Sequence, residues 1–316
     1  MLRFRAPFGG TDHAMRRVVT LLAILAPLLL AEPACKLASR QRVQAINRLN
    51  EGINLEKRNN VSGAEKALKE AIEIDPSFAQ PYWTLALLYR KQGKLVDSEK
   101  MLRGAIDNMK DAPNADYPYQ LGVVVASQGE LPGVSQTDRE AKYTEAINQF
   151  QEAIKLNPEH YKAYFRQGVL FEKLDQPQKA DTALRKAVEL RPNYSPSFVT
   201  LGNMYIDYGH ANVGQAVLEI GTKINDKDAA MWNGLGRAQY NLNKPNEAIE
   251  SFKKAKAIDP DMVDVLYGLG MAYAEVRNRK EAVENLQAFL QKAGNDTPED
   301  RKKAAQNTVA RMQDVI

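Results

Sequence analysis

The chain has 316 residues, 44% hydrophobic and 26% charged, a composition that excludes a disordered chain and provides for one large or two ordinary globular domains. Its net charge is +4, and half of that sits in the first 34 residues, where Arg3, Arg5, Arg16 and Arg17 stand against Asp12 and Glu32; the remaining +2 gives no basis for nucleic-acid binding. One cysteine excludes an internal disulfide, and three scattered histidines (His13, His160, His210) argue against a transition-metal site.

At the amino terminus, Arg16 and Arg17 precede an uncharged stretch, Val18 to Ala31, that is apolar apart from Thr20. A basic segment followed by an apolar run of this length is the layout of an export signal. The run is too short for a bilayer core of roughly 30 Å, which takes about 20 helical residues, and Pro27 interrupts it. Residues 1–34 are therefore expected to be a signal peptide, with Met15 as an alternative start. The run ends in Glu32-Pro33-Ala34-Cys35. Ala34-Cys35 resembles the end of a bacterial lipoprotein lipobox, in which a small residue precedes the cysteine that receives a diacylglyceryl thioether. Glu32 stands where that pattern carries Leu, Val or Ile, and Pro33 is a second departure. The resemblance implies a lipid anchor at Cys35 and a linker over residues 35–44. With Lys36 after the cysteine rather than Asp, it also implies sorting to the outer membrane, facing the periplasm. Simple export without lipid and an uncleaved anchor are the readings left beside it.

From residue 45 a small residue recurs at fixed spacing: Gly52, Ala86, Gly122, Gly168, Gly202, Gly236 and Gly270. Four of the six steps are 34 residues, the second is 36 and the third 46. Seven units follow, at 45–78, 79–112, 115–160, 161–194, 195–228, 229–262 and 263–294, each with that small residue at its eighth position. The twentieth position carries Ala64, Ser98, Ala146, Ala180, Gly214, Ala248 and Ala282. The twenty-fourth carries Leu68, Leu102, Phe150, Leu184, Leu218, Phe252 and Leu286. The twenty-seventh is Ala or Gly until it breaks to Phe289, and Pro76, Pro158, Pro192 and Pro260 close four units. Small residues are needed where two helices approach closely, and large apolar ones fill the space beside them.

This ruler resembles the tetratricopeptide repeat, a pair of antiparallel helices, A and B, with the pattern W-x2-L-G-x2-Y…A-x3-F…P. The resemblance implies an all-α, right-handed superhelical solenoid of about seven helix pairs. Glu51 and Gln167 replace Leu at the seventh position and Gln239 replaces the aromatic at the eleventh. Phe289 is expected to face a capping helix over residues 297–316, with Thr297 as N-cap and Pro298 in the first turn. The third unit carries an insertion at about 130–143, in which Gly129, Pro132 and Gly133 break helix and Ser135 can restart it. An insertion of this kind suits either a tolerated surface loop or a binding element.

In this family the first helix of each unit lines the concave face. Its fifth and ninth positions here are Leu49 and Ile53, Trp83 and Leu87, Tyr119 and Val123, Phe165 and Val169. The later units give Val199 and Asn203, Asn233 and Arg237, Tyr267 and Met271. The first four units are expected to expose an aromatic and aliphatic channel able to hold a partner helix or extended peptide, unless closure of the array covers it as core. The clamp of Lys, Asn and Arg found in chaperone-binding members is not in place, since Leu49 and Ile53 occupy its first positions.

No catalytic constellation is present: Cys35 has no neighbouring base, and His160 and His210 are expected in solvated turns. No phosphate-loop spacing occurs, and neither a cofactor, a metal nor a small-molecule substrate is expected. The expected function is a lipid-anchored scaffold of the cell envelope that binds one or more proteins and serves as assembly or piloting factor. A soluble periplasmic chaperone and a regulatory adaptor of a cell-wall enzyme are the alternatives.

Overall fold

A computed structural model describes residues 40–109 and 112–313. The signal segment 1–34 and Cys35 lie outside the described residues. Fifteen helices and no strand are found among the described residues, and these residues divide into two compact units, the first ending at Leu85 and the second beginning at Ala86.

In the first unit, α1 (Arg40–Lys57) pairs with α2 (Val61–Ile74), and α3 (Ala79–Lys91) begins. The pairing distance is set by Gly52: a Cβ there would lie 2.8 Å from Cγ of Leu68, which is fully buried. Asn60 caps α2 by accepting the Gly63 N–H at 3.0 Å. Asp75 ends α2 and accepts from the Ser77 N–H, the Ser77 hydroxyl and the Arg42 guanidinium, fixing the turn into α3.

The second unit continues through α4 (Leu95–Asp107), α5 (Asp116–Gly129), α6 (Gln136–Leu156), α7 (Tyr161–Lys173) and α8 (Pro177–Leu190). It then runs through α9 (Ser195–Asp207), α10 (Ala211–Ile224), α11 (Ala229–Asn241), α12 (Pro245–Ile258), α13 (Val263–Glu275), α14 (Arg279–Lys292) and α15 (Glu299–Gln313). The same contact recurs in it, with the eighth residue of an A helix seated against the twenty-fourth on the B helix. A Cβ on Gly168 would stand 2.5 Å from Cγ of Leu184. Where the eighth residue is Ala86, the hydroxyl of fully buried Ser98 donates to its carbonyl at 2.8 Å. Between units, Asn157, Asn225 and Asp259 each accept the N–H two residues on with their side chains, closing the turn into the next A helix.

One backbone feature was hidden in the sequence. The fifteenth residue of six units lies in the left-handed region: Asn59, Asp175, Asn243 and Arg277 at φ 54–61°, and Gly93 and Gly209 at φ 74° and 81°. It ends helix A and turns the chain into helix B. Five of the six are Gly, Asn or Asp, which tolerate this conformation; Arg277 does not share that tolerance.

The insertion is largely helix. α6 runs for 21 residues where α8, α10, α12 and α14 run for 14. Ser135 caps it by accepting the Asp138 N–H at 3.1 Å. Arg139 returns to the Gly129 carbonyl at 3.1 Å, satisfying the end of α5, and Glu130 accepts from both Tyr143 and Lys173. At the other end, fully buried Phe289 clusters with Leu266, Leu286 and Ala305, so it packs on the capping helix α15.

Candidate protein-binding surface

The residues predicted to line the concave face divide into core and half-buried wall. In the first unit Leu49 is 5% exposed, while Ile53 and Trp83 are half-buried. In the second unit Leu87, Val123, Val169, Val199, Asn203, Asn233, Arg237, Tyr267 and Met271 are half-buried. Tyr119 and Phe165 are 9% and 8% exposed.

The expectation of an exposed apolar channel is thus corrected at Leu49, Tyr119 and Phe165, which are core. For Tyr119 and Phe165, both in the second unit, the reason is aromatic packing. Tyr119 lies 5.8 Å from the Phe150 ring and 4.7 Å from His160, and Phe165 meets the edge of Tyr194 at 5.3 Å. Phe165 also belongs to a cluster with Leu184, Leu201 and Met204. Tyr194 meets Tyr161 at 5.1 Å and was missed, because it stands in the joint before α9 rather than at a repeat position of the helix.

His160 is a second correction. It is buried rather than solvated, caps α7 by accepting the Ala163 N–H on Nδ1 at 3.2 Å, and places Nε2 3.4 Å from Asp116. With Nδ1 accepting, the neutral ring carries its hydrogen on Nε2. His210 is exposed, as a turn residue.

Further along, the wall becomes polar. Arg237 on α11 donates through Nη1 to Asn203 at 3.1 Å and through Nη2 to Asp207 at 2.8 Å. One turn before it, Asn233 holds a buried Oδ1 that has no hydrogen-bond partner among the described residues. Glu172, on α7, has its carboxyl pushed up, first by burial and then by the charge of Asp207.

Between α11, α13 and α15 a cleft of about 450 Å³ opens, lined by Arg237, Tyr240, Phe252, Asp264, Tyr267, Met271 and Arg301 among others. Arg301 reaches into it from the capping helix, donating to Asp264 at 2.8 Å and lying 4.5 Å over the Tyr267 ring. Burial raises the Tyr240 phenol, so its hydroxyl stays protonated as a donor. Sequence reasoning placed Arg237 and Tyr267 on this face but missed Arg301 and Asp264. A larger cleft of about 780 Å³, lined by residues such as Gln167, Phe171, Asp181 and Arg185, takes none of the predicted residues.

A repeated antiparallel helix pair, its spacing fixed by one glycine-to-large-residue contact, defines an α-helical repeat scaffold. Tetratricopeptide-repeat profiles match residues 139–195, 229–262 and 264–296. Those stretches of the chain are tetratricopeptide repeats. It resembles anaphase-promoting complex subunit 3 of Schizosaccharomyces pombe, at 22% identity over 216 residues that cover 68% of this chain. It spans only 30% of that protein's length. Among solved structures, a tetratricopeptide repeat protein from Parabacteroides merdae superposes with a TM-score of 0.58 at 14% identity, covering 85% of this chain and 98% of that one. YrrB, a tetratricopeptide-repeat protein described as having an unusual peptide-binding site, superposes with a TM-score of 0.50 at 23% identity, covering 64% of this chain and 97% of its own.

Proposed function

We propose that this chain is a non-catalytic, protein-binding scaffold of the bacterial cell envelope, tethered by a lipid at Cys35, that serves the assembly or piloting of an envelope machine such as a pilus, secretion, motility or outer-membrane complex. The observation that carries the binding half is the A-helix face of the second unit, which joins half-buried apolar residues to a polar stretch and a cleft with two arginines. A surface of apolar wall with a few placed polar groups suits a partner's helix or extended segment better than a small substrate. The peptide-binding site ascribed to YrrB, on a similar fold, supports this reading, as does the place of the S. pombe relative in a multi-subunit complex.

The envelope half rests on Arg16-Arg17, the apolar run and Ala34-Cys35. Its test is the mass of the amino-terminal peptide of protein extracted from membranes of cells that make it naturally. A peptide that begins at Cys35 and carries acyl mass supports the reading. An unmodified peptide that begins elsewhere removes the lipid, and retention of Met1 or Met15 removes cleavage altogether. Glu32, out of place in a lipobox, favours a second reading in which the same protein is cleaved without lipid and holds partners free in the periplasm.

A further inference from the structure

The cleft between α11, α13 and α15 has a chemistry of its own. Two guanidinium groups, Arg237 and Arg301, line one space of about 450 Å³ with Tyr240, Phe252, Tyr267 and Met271 as its apolar wall. Each guanidinium has five N–H donors in a planar fork. Among the described residues, Arg237 gives hydrogen bonds to Asn203 and Asp207, and Arg301 gives one to Asp264. Asp264 is the one acid in the cleft wall, and both it and Asp207 are more than half exposed. Beyond the lining, Glu275 and Arg311 act on the Tyr240 hydroxyl with opposite signs, Glu275 the more strongly. Each arginine is thus matched by one carboxylate, and what the space keeps is spare N–H donors beside aromatic surface, to which Tyr240 adds a hydroxyl that stays protonated.

We infer that this cleft recognises an acidic side chain of the segment bound on the A-helix face, taking its carboxylate between Arg237 and Arg301 and a neighbouring apolar side chain against Tyr267 and Met271. This rests on the protein-binding reading above and adds a sequence preference to it. A carboxylate fits because the guanidinium fork matches its two oxygens, and a charge-assisted pair beside low-dielectric aromatic walls is stronger than one in open water. The pairing needs the capping helix, since one of the two arginines comes from it. The last repeat and the cap thus form one recognition element.

The test uses the full chain and a displayed library of random dodecapeptides. The strongest binder is then synthesised with both ends blocked, alongside versions with each Asp or Glu changed to Asn or Gln. The expected result is one acid whose neutralisation weakens binding about tenfold or more. Arg301→Gln should abolish that tenfold difference while leaving the thermal transition in place, and Arg301→Lys, which keeps the charge, should restore part of it. If Arg301→Gln fails to fold, Arg237→Gln and Arg301→Lys carry the comparison. Peptides that bind with no dependence on an acid overturn the inference and leave the protein-binding reading standing. So does an acid dependence untouched by the arginine changes. A library that yields no binder overturns the protein-binding reading and this inference with it.

Discussion

Phe252 and Gly268 are a size-matched pair, and the match can be measured. Phe252 is 1% exposed, and a Cβ on Gly268 would stand 2.5 Å from its Cζ and 2.6 Å from Cε1. Gly268→Ala gains about 1 kcal/mol of helix propensity but forces a methyl into occupied space, which costs about 1–3 kcal/mol; a net loss of about 1 kcal/mol is expected. Phe252→Leu removes the ring tip and is expected to cost about 1–2 kcal/mol, less than the 3–5 of a full truncation to Ala. In the double variant the methyl enters the space the ring tip has left. Its propensity gain is then kept, and the double should be no less stable than Phe252→Leu alone. The coupling energy is therefore about 2 kcal/mol, well above the few tenths expected of independent sites. Urea unfolding of the four proteins, followed by circular dichroism and fluorescence, measures it. Additivity within about 0.5 kcal/mol would refute the packing argument.

Arg277 holds the left-handed turn position at φ 58° without the short side chain that eases it. Arg277→Gly should therefore stabilise by about 0.5–1 kcal/mol in the same assay, the relief of backbone strain exceeding glycine's entropy; a loss would contradict this. His160→Ala removes both the cap of α7 and the ring under Tyr119 and should cost about 2 kcal/mol, whereas His160→Asn keeps a capping acceptor and should recover about half. Equal losses would mean that the cap contributes nothing. The Asp75 carboxyl is pushed up by burial but pulled further down by Arg42 and Ser77, so it titrates below the ordinary aspartate range. A depressed folded value contributes stability that is present above the unfolded value, near 3.9, and lost as pH falls through the folded one. Asp75→Asn should flatten that acid limb of the stability curve, and an unchanged limb would assign it to other groups.

The repeat was legible because its key positions are fixed by contact. An eighth residue pressed on a twenty-fourth admits only small against large, as Gly168 and Leu184 illustrate, and that constraint is written in residue type. The left-handed fifteenth position was not, since Asn, Gly, Asp and Arg all fill it and only the backbone is constant. The insertion read as a loop with a helix restart because Pro132 and Gly133 advertise a break, while the two added turns of α6 follow from Ser135 capping a run of ordinary helix formers. On the candidate surface, helical spacing placed Arg237 and Tyr267 together. It could not place Arg301, whose approach to Tyr267 depends on how the capping helix lies over α13 and α14. Nor did residue type distinguish a buried Phe165 from a half-buried Tyr267 at the same repeat position, because the difference comes from Tyr194 in a joint.

On the proposed function, a protein partner lies on the A-helix face of the second unit. Site-specific photo-crosslinking in cells that make the protein naturally tests it most directly. A benzophenone side chain would be placed singly at Val199, Asn233 and Met271 on that face, and at Thr182 and Ala216 on the B helices α8 and α10. One and the same protein adduct is expected from the three A-helix positions, weakened when Arg301 is changed to Gln, and none from the two B-helix positions. Adducts confined to the B-helix positions, or the same yield from all five, would contradict it.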